Sequence, residues 1–176
     1  MLPQRAFTIR YGGRVNVLKT EIGIFLPLSR EEIERVTPQV HPCVAVWDTG
    51  ANGTVITKQV ADELGLKPIG ITEVYHAQGK GLTNEYLVNV ALLNGVVIPG
   101  VRVTEGVLAG CDVLIGMDII AMGDFAVTNA NSQGGTTLSF CIPSIAEIDF
   151  VPRSRENEIR RTGNREARRA LKKKRH

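Results

Sequence analysis

The chain has 176 residues, 43% of them hydrophobic, which suffices for one buried core and argues against two large ones. Its formal charge of +3 is unevenly spread: from Pro152 onward there are 11 Lys and Arg against 3 Glu, leaving 10 basic and 15 acidic residues before it. That asymmetry predicts a mildly acidic folded body with a basic appendage, while Cys43, Cys111 and Cys141, widely spaced and without a CxxC pair, argue against a disulfide framework and a zinc site.

In chain order, strand signals outnumber helix signals and come at short intervals. FTIRY and RVNVL flank Gly12-Gly13 and predict an N-terminal hairpin, with TEIGIF extending its second arm. GIFLPL is too short to cross a bilayer, and MLPQRAFTIRYGG has no long apolar run, so a cytoplasmic protein without a transmembrane segment is expected. Ser29 and Glu32 have capping-box spacing and predict a short helix that ends before Pro38. CVAVW reads as a buried strand. TKQVADELG reads as a second short helix, capped by Thr57 and ended by Gly65.

Further on, ITEVYHAQGKGLTNEYLVNVALL predicts two strands around a polar, Gly-containing tip at residues 77 to 84. Asn94-Gly95 then turns the chain into VVIPGVRV. CDVLIG is another apolar run, MDIIAMG a short helix, and DFAVTN with TTLSFCI a last strand pair around Gly134 and Gly135. From about Arg153 the composition loses almost all apolar residues and cannot bury enough surface to fold alone.

VAVWDTGANGTVI, residues 44 to 56, sets a carboxylate at the end of an apolar strand. Such a group is held rigidly, is partly desolvated and still reaches a cleft, as an acid or base requires. Thr49 adds a hydroxyl able to bond nearby backbone, and Gly50 lets another chain approach closely. An isolated Asp-Thr-Gly turn is common, but a second apolar run, Val113-Leu114-Ile115-Gly116, follows with a glycine-tipped hairpin between.

Asp48-Thr49-Gly50-Ala51 with Thr54-Val55-Ile56, then the hairpin, then Leu114-Ile115-Gly116-Met117-Asp118, resembles the retropepsin-like aspartic proteases over roughly residues 40 to 142. The resemblance, closest in kind to single-domain cellular or bacterial members, implies an all-β fold. Its parts would be a closed β-barrel, a flap hairpin and one or two short helices, followed here by a basic tail expected to be disordered. It implies Asp48 as the catalytic aspartate, with Thr49 locking two active-site loops and Gly50 holding substrate through its carbonyl. Ala51 and Asn52 would line adjacent subsites, and Val46, Val55 and Leu114 would form apolar pocket wall. The tip from His76 to Gly81 would close over bound peptide, bending at Gly79 and Gly81.

Two adjacent carboxylates share a proton, one acting as base on water while the other polarises the scissile carbonyl. Asp62, Asp112, Asp118, Asp124 and Asp149 are followed by Glu, Val, Ile, Phe and Phe. With no second Asp-Thr-Gly or Asp-Ser-Gly, the partner carboxylate has to come from a second copy, in a homodimer. Retroviral members carry Asp at the position of Asn52 and Arg at that of Met117. Both are absent here together, so no buried charge is stranded. His41 and His76 sit in no HExxH or Cys/His cluster, so no metal or other cofactor is expected. Asp118, at a helix start, reads as an acceptor for backbone N–H groups.

The expected organisation is residues 1–40 as part of the domain or an extension, 41–151 as the protease-like domain and 152–176 as the tail. The tail is a candidate contact for an anionic partner. Two functions follow from these residues: an aspartic endopeptidase acting on peptide or protein substrates, and a protease-like binding or dimerisation module that keeps Asp48 without efficient turnover.

Overall fold

The computed structural model describes residues 5–152 except 77, 78, 94, 131 and 133, and beyond them positions 154, 155, 157, 158 and 163; the side chains of Arg30, Tyr75 and His76 are also outside the described residues. The chain divides into two units, Met1–Ile145 and Ala146–His176. In the second, the described positions from Val151 onward have helical backbone, and Ser154 N–H donates to the Phe150 carbonyl at 2.9 Å.

The first unit contains β1 (Arg5–Arg10), β2 (Lys19–Phe25), α1 (Arg30–Arg35), β3 (His41–Trp47), β4 (Val55–Thr57), α2 (Lys58–Glu63), β5 (Gly70–His76), β6 (Gly79–Ala91), β7 (Val97–Gly106), β8 (Val113–Ile115), α3 (Met117–Ile120), β9 (Asp124–Thr128) and β10 (Thr137–Ile142). Its larger sheet runs β2-β3-β8-β4-β7-β6-β5, and a further pairing of β2 with β6 returns the sheet on itself. The result is a closed barrel with β5 attached outside the ring. Gly23 opposite Ala91, Ile24 opposite Val90 and Phe25 opposite Asn89 make the closure.

Alternation decides which side chains fill the barrel. Cys43, Ala45 and Trp47 of β3 are buried, as are Val113 and Ile115 of β8 and Ile56 of β4, while Val46, Leu114 and Val55 between them are half-buried. Ile24, Val88, Val90 and Val103 complete the interior. Where β6 crosses β7, the register shifts between Val88 and Val90. The Pro99-Gly100 step causes this, because Pro99 has no N–H to give the ladder. The Gly100 N–H instead donates to Asn89 Oδ1 at 2.8 Å, and Asn89 Nδ2 donates to the Leu28 carbonyl at 2.9 Å, so the buried amide is satisfied.

The expected hairpin at Gly12-Gly13 does not form. β1 pairs with β10, in a separate sheet ordered β1-β10-β9, and β2 pairs with β3. Packing outweighs the local turn signal. Phe7 of β1 lies 5.9 Å from the Trp47 ring and 6.1 Å from that of Phe140, and Trp47 also meets Phe125 and Phe140 at 5.7 and 5.1 Å. Trp47 Nε1 donates to Thr20 Oγ1 at 2.9 Å inside the core, drawing the start of β2 to β3. The pairing of β1 with β10 continues past its last residue through Tyr11 N–H to the Thr136 carbonyl at 2.9 Å.

Local signals place the helices. At α1, Ser29 Oγ accepts from Glu32 N–H at 3.2 Å and Glu32 Oε2 accepts from Ser29 N–H at 2.7 Å, the reciprocal box its spacing predicts. Thr57 caps α2, and Gly65 beyond it has φ +61°, a left-handed conformation that closes the helix.

Candidate active site

β3 and β8 run parallel, with Val46 opposite Leu114 and Trp47 opposite Ile115. Asp48 therefore leaves the barrel beside Gly116, and its N–H donates to the Ile115 carbonyl at 3.0 Å. The turn that follows is built on its own side chain: Asp48 Oδ1 accepts from Gly50 N–H at 2.8 Å, and the Asp48 carbonyl accepts from Ala51 N–H at 3.3 Å. Asp48 is half-buried, and Thr49 and Gly50 are exposed. One carboxylate oxygen is thus committed to the turn, which fixes the direction of the other.

A second loop clasps the first. Met117 N–H donates to the Ala51 carbonyl at 2.8 Å and Asp118 N–H to the Asn52 carbonyl at 3.2 Å. Thr54, 1% exposed, gives its N–H to Asp118 Oδ2 at 3.0 Å and its hydroxyl to Asp118 Oδ1 at 2.8 Å, and accepts from Gly116 N–H at 3.3 Å. Ile119 N–H also donates to Asp118 Oδ1, at 3.0 Å. Asp118 is therefore a structural acceptor, as its place at a helix start predicts. A Cβ on Gly116 would stand 2.5 Å from the Gly53 carbonyl oxygen, so only glycine lets the loops approach this closely.

The residues expected to form apolar pocket wall come together as a row. Leu114 lies between Val46 and Val55 in register, and all three are half-buried. By alternation Val46 shares a face with Asp48. Asn52 and Met117 are both exposed. Thr49, expected to lock two loops, has no hydrogen-bond partner for its hydroxyl among the described residues of this chain; within the chain the clasp is made by Thr54 and Asp118. That pair escapes a reading of motifs because its members are 64 residues apart.

The glycine-tipped segment is a hairpin. β5 and β6 pair antiparallel from Gly70 opposite Glu85 to His76 opposite Gly79, with Gly81 opposite Val74. The ladder reaches further toward the tip than the polar sequence suggests, and Gly79 has φ +123°, open to glycine and strained for other residues. The tip residues 77 and 78 and the His76 side chain lie outside the described residues, so the part expected of His76 has no geometry here.

The other aspartates have their own partners. Asp62 holds Lys58 Nζ at 2.7 Å, Asp112 Oδ2 accepts from Val44 N–H at 2.7 Å, Asp124 bonds Ser144 and Ile145 N–H, and Asp149 Oδ1 accepts from Val151 N–H at 2.8 Å. Below the site, Cys43 is pushed up to about 12 by burial and then by the carboxylates of Asp112 and Glu63. It is a neutral thiol in the core, not a nucleophile. His41 Nε2 lies 3.0 Å from Glu63 Oε2. No helix among the described residues is long and apolar enough to cross a membrane.

Fold and site together define a class, an all-β barrel with an Asp-Thr-Gly turn clasped by an Ile-Gly loop and a projecting hairpin. Residues 36–121 match the sequence family described as "gag-polyprotein putative aspartyl protease". The match spans the Asp48 turn, the hairpin and the Gly116 loop, just under half of the chain, and supports a protease reading. No curated protein sequence gives a significant match. Among solved structures, a retropepsin-like aspartic protease from Rickettsia conorii is similar at 16% identity, over 81% of this chain and 96% of that one, with a TM-score of 0.49. The inhibitor-bound EIAV protease is similar at 19% identity over 60% and 86%, TM-score 0.42. The retroviral protease-like domain of Ddi1 from Leishmania major follows at 18% over 64% and 82%, TM-score 0.40.

Proposed function

We propose that the protein is an aspartic endopeptidase whose site is completed by a second copy of the chain, each contributing one Asp48. Bound between the two carboxylates, a water loses a proton to one while the other, protonated, polarises the scissile carbonyl. Two carboxylates this close repel when both are charged, so the pair shares a single proton and divides the two roles. Supporting this reading above all is the Asp48 turn itself: a half-buried carboxylate with one oxygen bonded to Gly50 N–H, next to the apolar row of Val46, Val55 and Leu114.

In the assembled site Thr49 and Gly50 act beside Asp48, Thr49 across the two copies and Gly50 through its carbonyl. Substrate peptide lies along Ala51 and Asn52, with the hairpin residues His76, Gly79 and Gly81 above it. That the remaining described aspartates are engaged elsewhere favours a second chain over a second carboxylate within this one. We take the segment 152–176 as an appendage suited to an anionic partner, and the cytoplasm as the setting.

Asp48→Asn tests the assignment. The amide is nearly isosteric and its oxygen can still accept from Gly50 N–H, so the variant folds and dimerises, but it cannot act as base. Peptide-library cleavage falls by about 100-fold or more. Turnover retained in a pure, folded Asp48→Asn protein removes the assignment.

A further inference from the structure

The hairpin leaves the barrel at a fork. β6 pairs with β7 as far as Glu85 opposite Thr104, and toward the tip β6 pairs with β5. β7 meanwhile continues beside β4, with Glu105 opposite Ile56 and Gly106 opposite Thr57. Past the fork the hairpin is a two-stranded ribbon, an element that twists and pivots readily unless its base is held.

Three side chains of β6 cross the fork to a single residue of β7. The Thr83 hydroxyl donates to the Glu105 carbonyl at 2.7 Å, the Tyr86 hydroxyl donates to Glu105 Oε2 at 2.7 Å, and Asn84 Nδ2 donates to the same oxygen at 3.2 Å. Tyr86 is 4% exposed, and Thr83, Asn84 and Glu105 are half-buried. Bonds to a carboxylate are stronger than neutral ones, and partial burial spares them competition from water. Burial, and then Glu105 itself, raises the Tyr86 phenol above its ordinary value, keeping it an O–H donor at neutral pH.

Glu105 lies opposite Ile56 of β4, and its neighbour Thr104 is bonded to the backbone that leads out of the Asp48 turn. Thr104 N–H donates to the Thr54 carbonyl at 3.1 Å, and Thr54 is the residue clasped by Asp118 and Gly116. We propose that Glu105 is a positioning residue that latches the base of the β5–β6 hairpin to β7, fixing the hairpin's position relative to the strand that follows the Asp48 turn. Its effect on substrate rests on the peptidase reading above; the latch itself does not.

Glu105→Ala, Glu105→Gln and Tyr86→Phe in the full chain separate the two. In hydrogen–deuterium exchange, Glu105→Ala speeds exchange in residues 70–84 on the order of tenfold while β2 and β3 keep wild-type protection. Glu105→Gln, whose amide oxygen still accepts from Tyr86 and Asn84, restores slow exchange. Tyr86→Phe, which keeps the core filled, speeds hairpin exchange to a lesser degree, and it carries the test if Glu105→Ala does not fold. In peptide cleavage, Glu105→Ala raises KM several-fold with a smaller change in kcat, and Glu105→Gln returns KM to near wild type.

Hairpin exchange unchanged in Glu105→Ala or, if that variant does not fold, in Tyr86→Phe overturns the latch. So does Glu105→Gln loosening the hairpin as much as Glu105→Ala. If exchange responds as described but the wild-type chain cleaves no peptide, the latch stands and the peptidase reading falls.

Discussion

Asp118 shows how a residue outside the Asp-Thr-Gly motif can hold the loop that carries Asp48. Its two oxygens take three donors, Thr54 N–H, the Thr54 hydroxyl and Ile119 N–H. Asp118→Ala strands both Thr54 donors in a buried position, each costing about 1–3 kcal/mol. Thr54→Val removes the hydroxyl and leaves the N–H. Because the two act as one unit, the double variant should be less destabilised than the sum of the singles, by about 0.5–3 kcal/mol in urea denaturation. Simple additivity would mean that the clasp does not stabilise the loops.

At the same scale, Cys43 gives a pH dependence. Its folded-state pKa of about 12 lies above the ordinary value of 9.0. Below pH 9 the thiol is neutral in both states and its contribution is fully present. As pH rises from 9 toward 12 the unfolded chain ionises first and stability falls. Wild type should therefore lose more stability than Cys43→Ala between pH 9 and pH 12. Parallel losses in thermal melts of the two would show that the thiol is not buried as described. The Asp48 turn and the Leu114-Ile115-Gly116 run are readable in the sequence because each is contiguous. The Thr54–Asp118 clasp and the Glu105 fork are not, since they exist only once distant strands are in register.

Among the elements, those stabilised locally were the legible ones. Ser29 and Glu32 announce α1 because the capping box closes over one helical turn. Of the Asn94-Gly95 turn signal between β6 and β7, Asn94 lies outside the described residues, and Gly95 has φ +72°. The Gly12-Gly13 hairpin failed for the opposite reason. Its turn chemistry was permissive, but the partner of β1 is β10, brought in by Phe7, Trp47, Phe125 and Phe140. Aromatic packing at that range leaves no local pattern. Phe7→Ala should lower stability by about 2–4 kcal/mol, since the half-buried ring loses both transfer energy and its aromatic contacts. The loss should be read from urea unfolding, with early proteolytic release of the N-terminal segment. Unchanged stability would mean that β1 is held by its ladder alone.

For the whole molecule, the proposed site takes one carboxylate from each of two chains. If that is so, activity per chain must fall on dilution as dimers dissociate. Mixing is sharper. An excess of Asp48→Asn chains, added to wild type under conditions where tagged chains are seen to exchange, draws wild-type chains into mixed dimers with one aspartate and one asparagine. Such a site lacks half of its acid–base pair, a loss of about 100-fold or more. Cleavage by the mixture should then decline with the fraction of wild-type chains still paired with each other. Activity that stays constant through verified exchange would contradict the shared two-aspartate site.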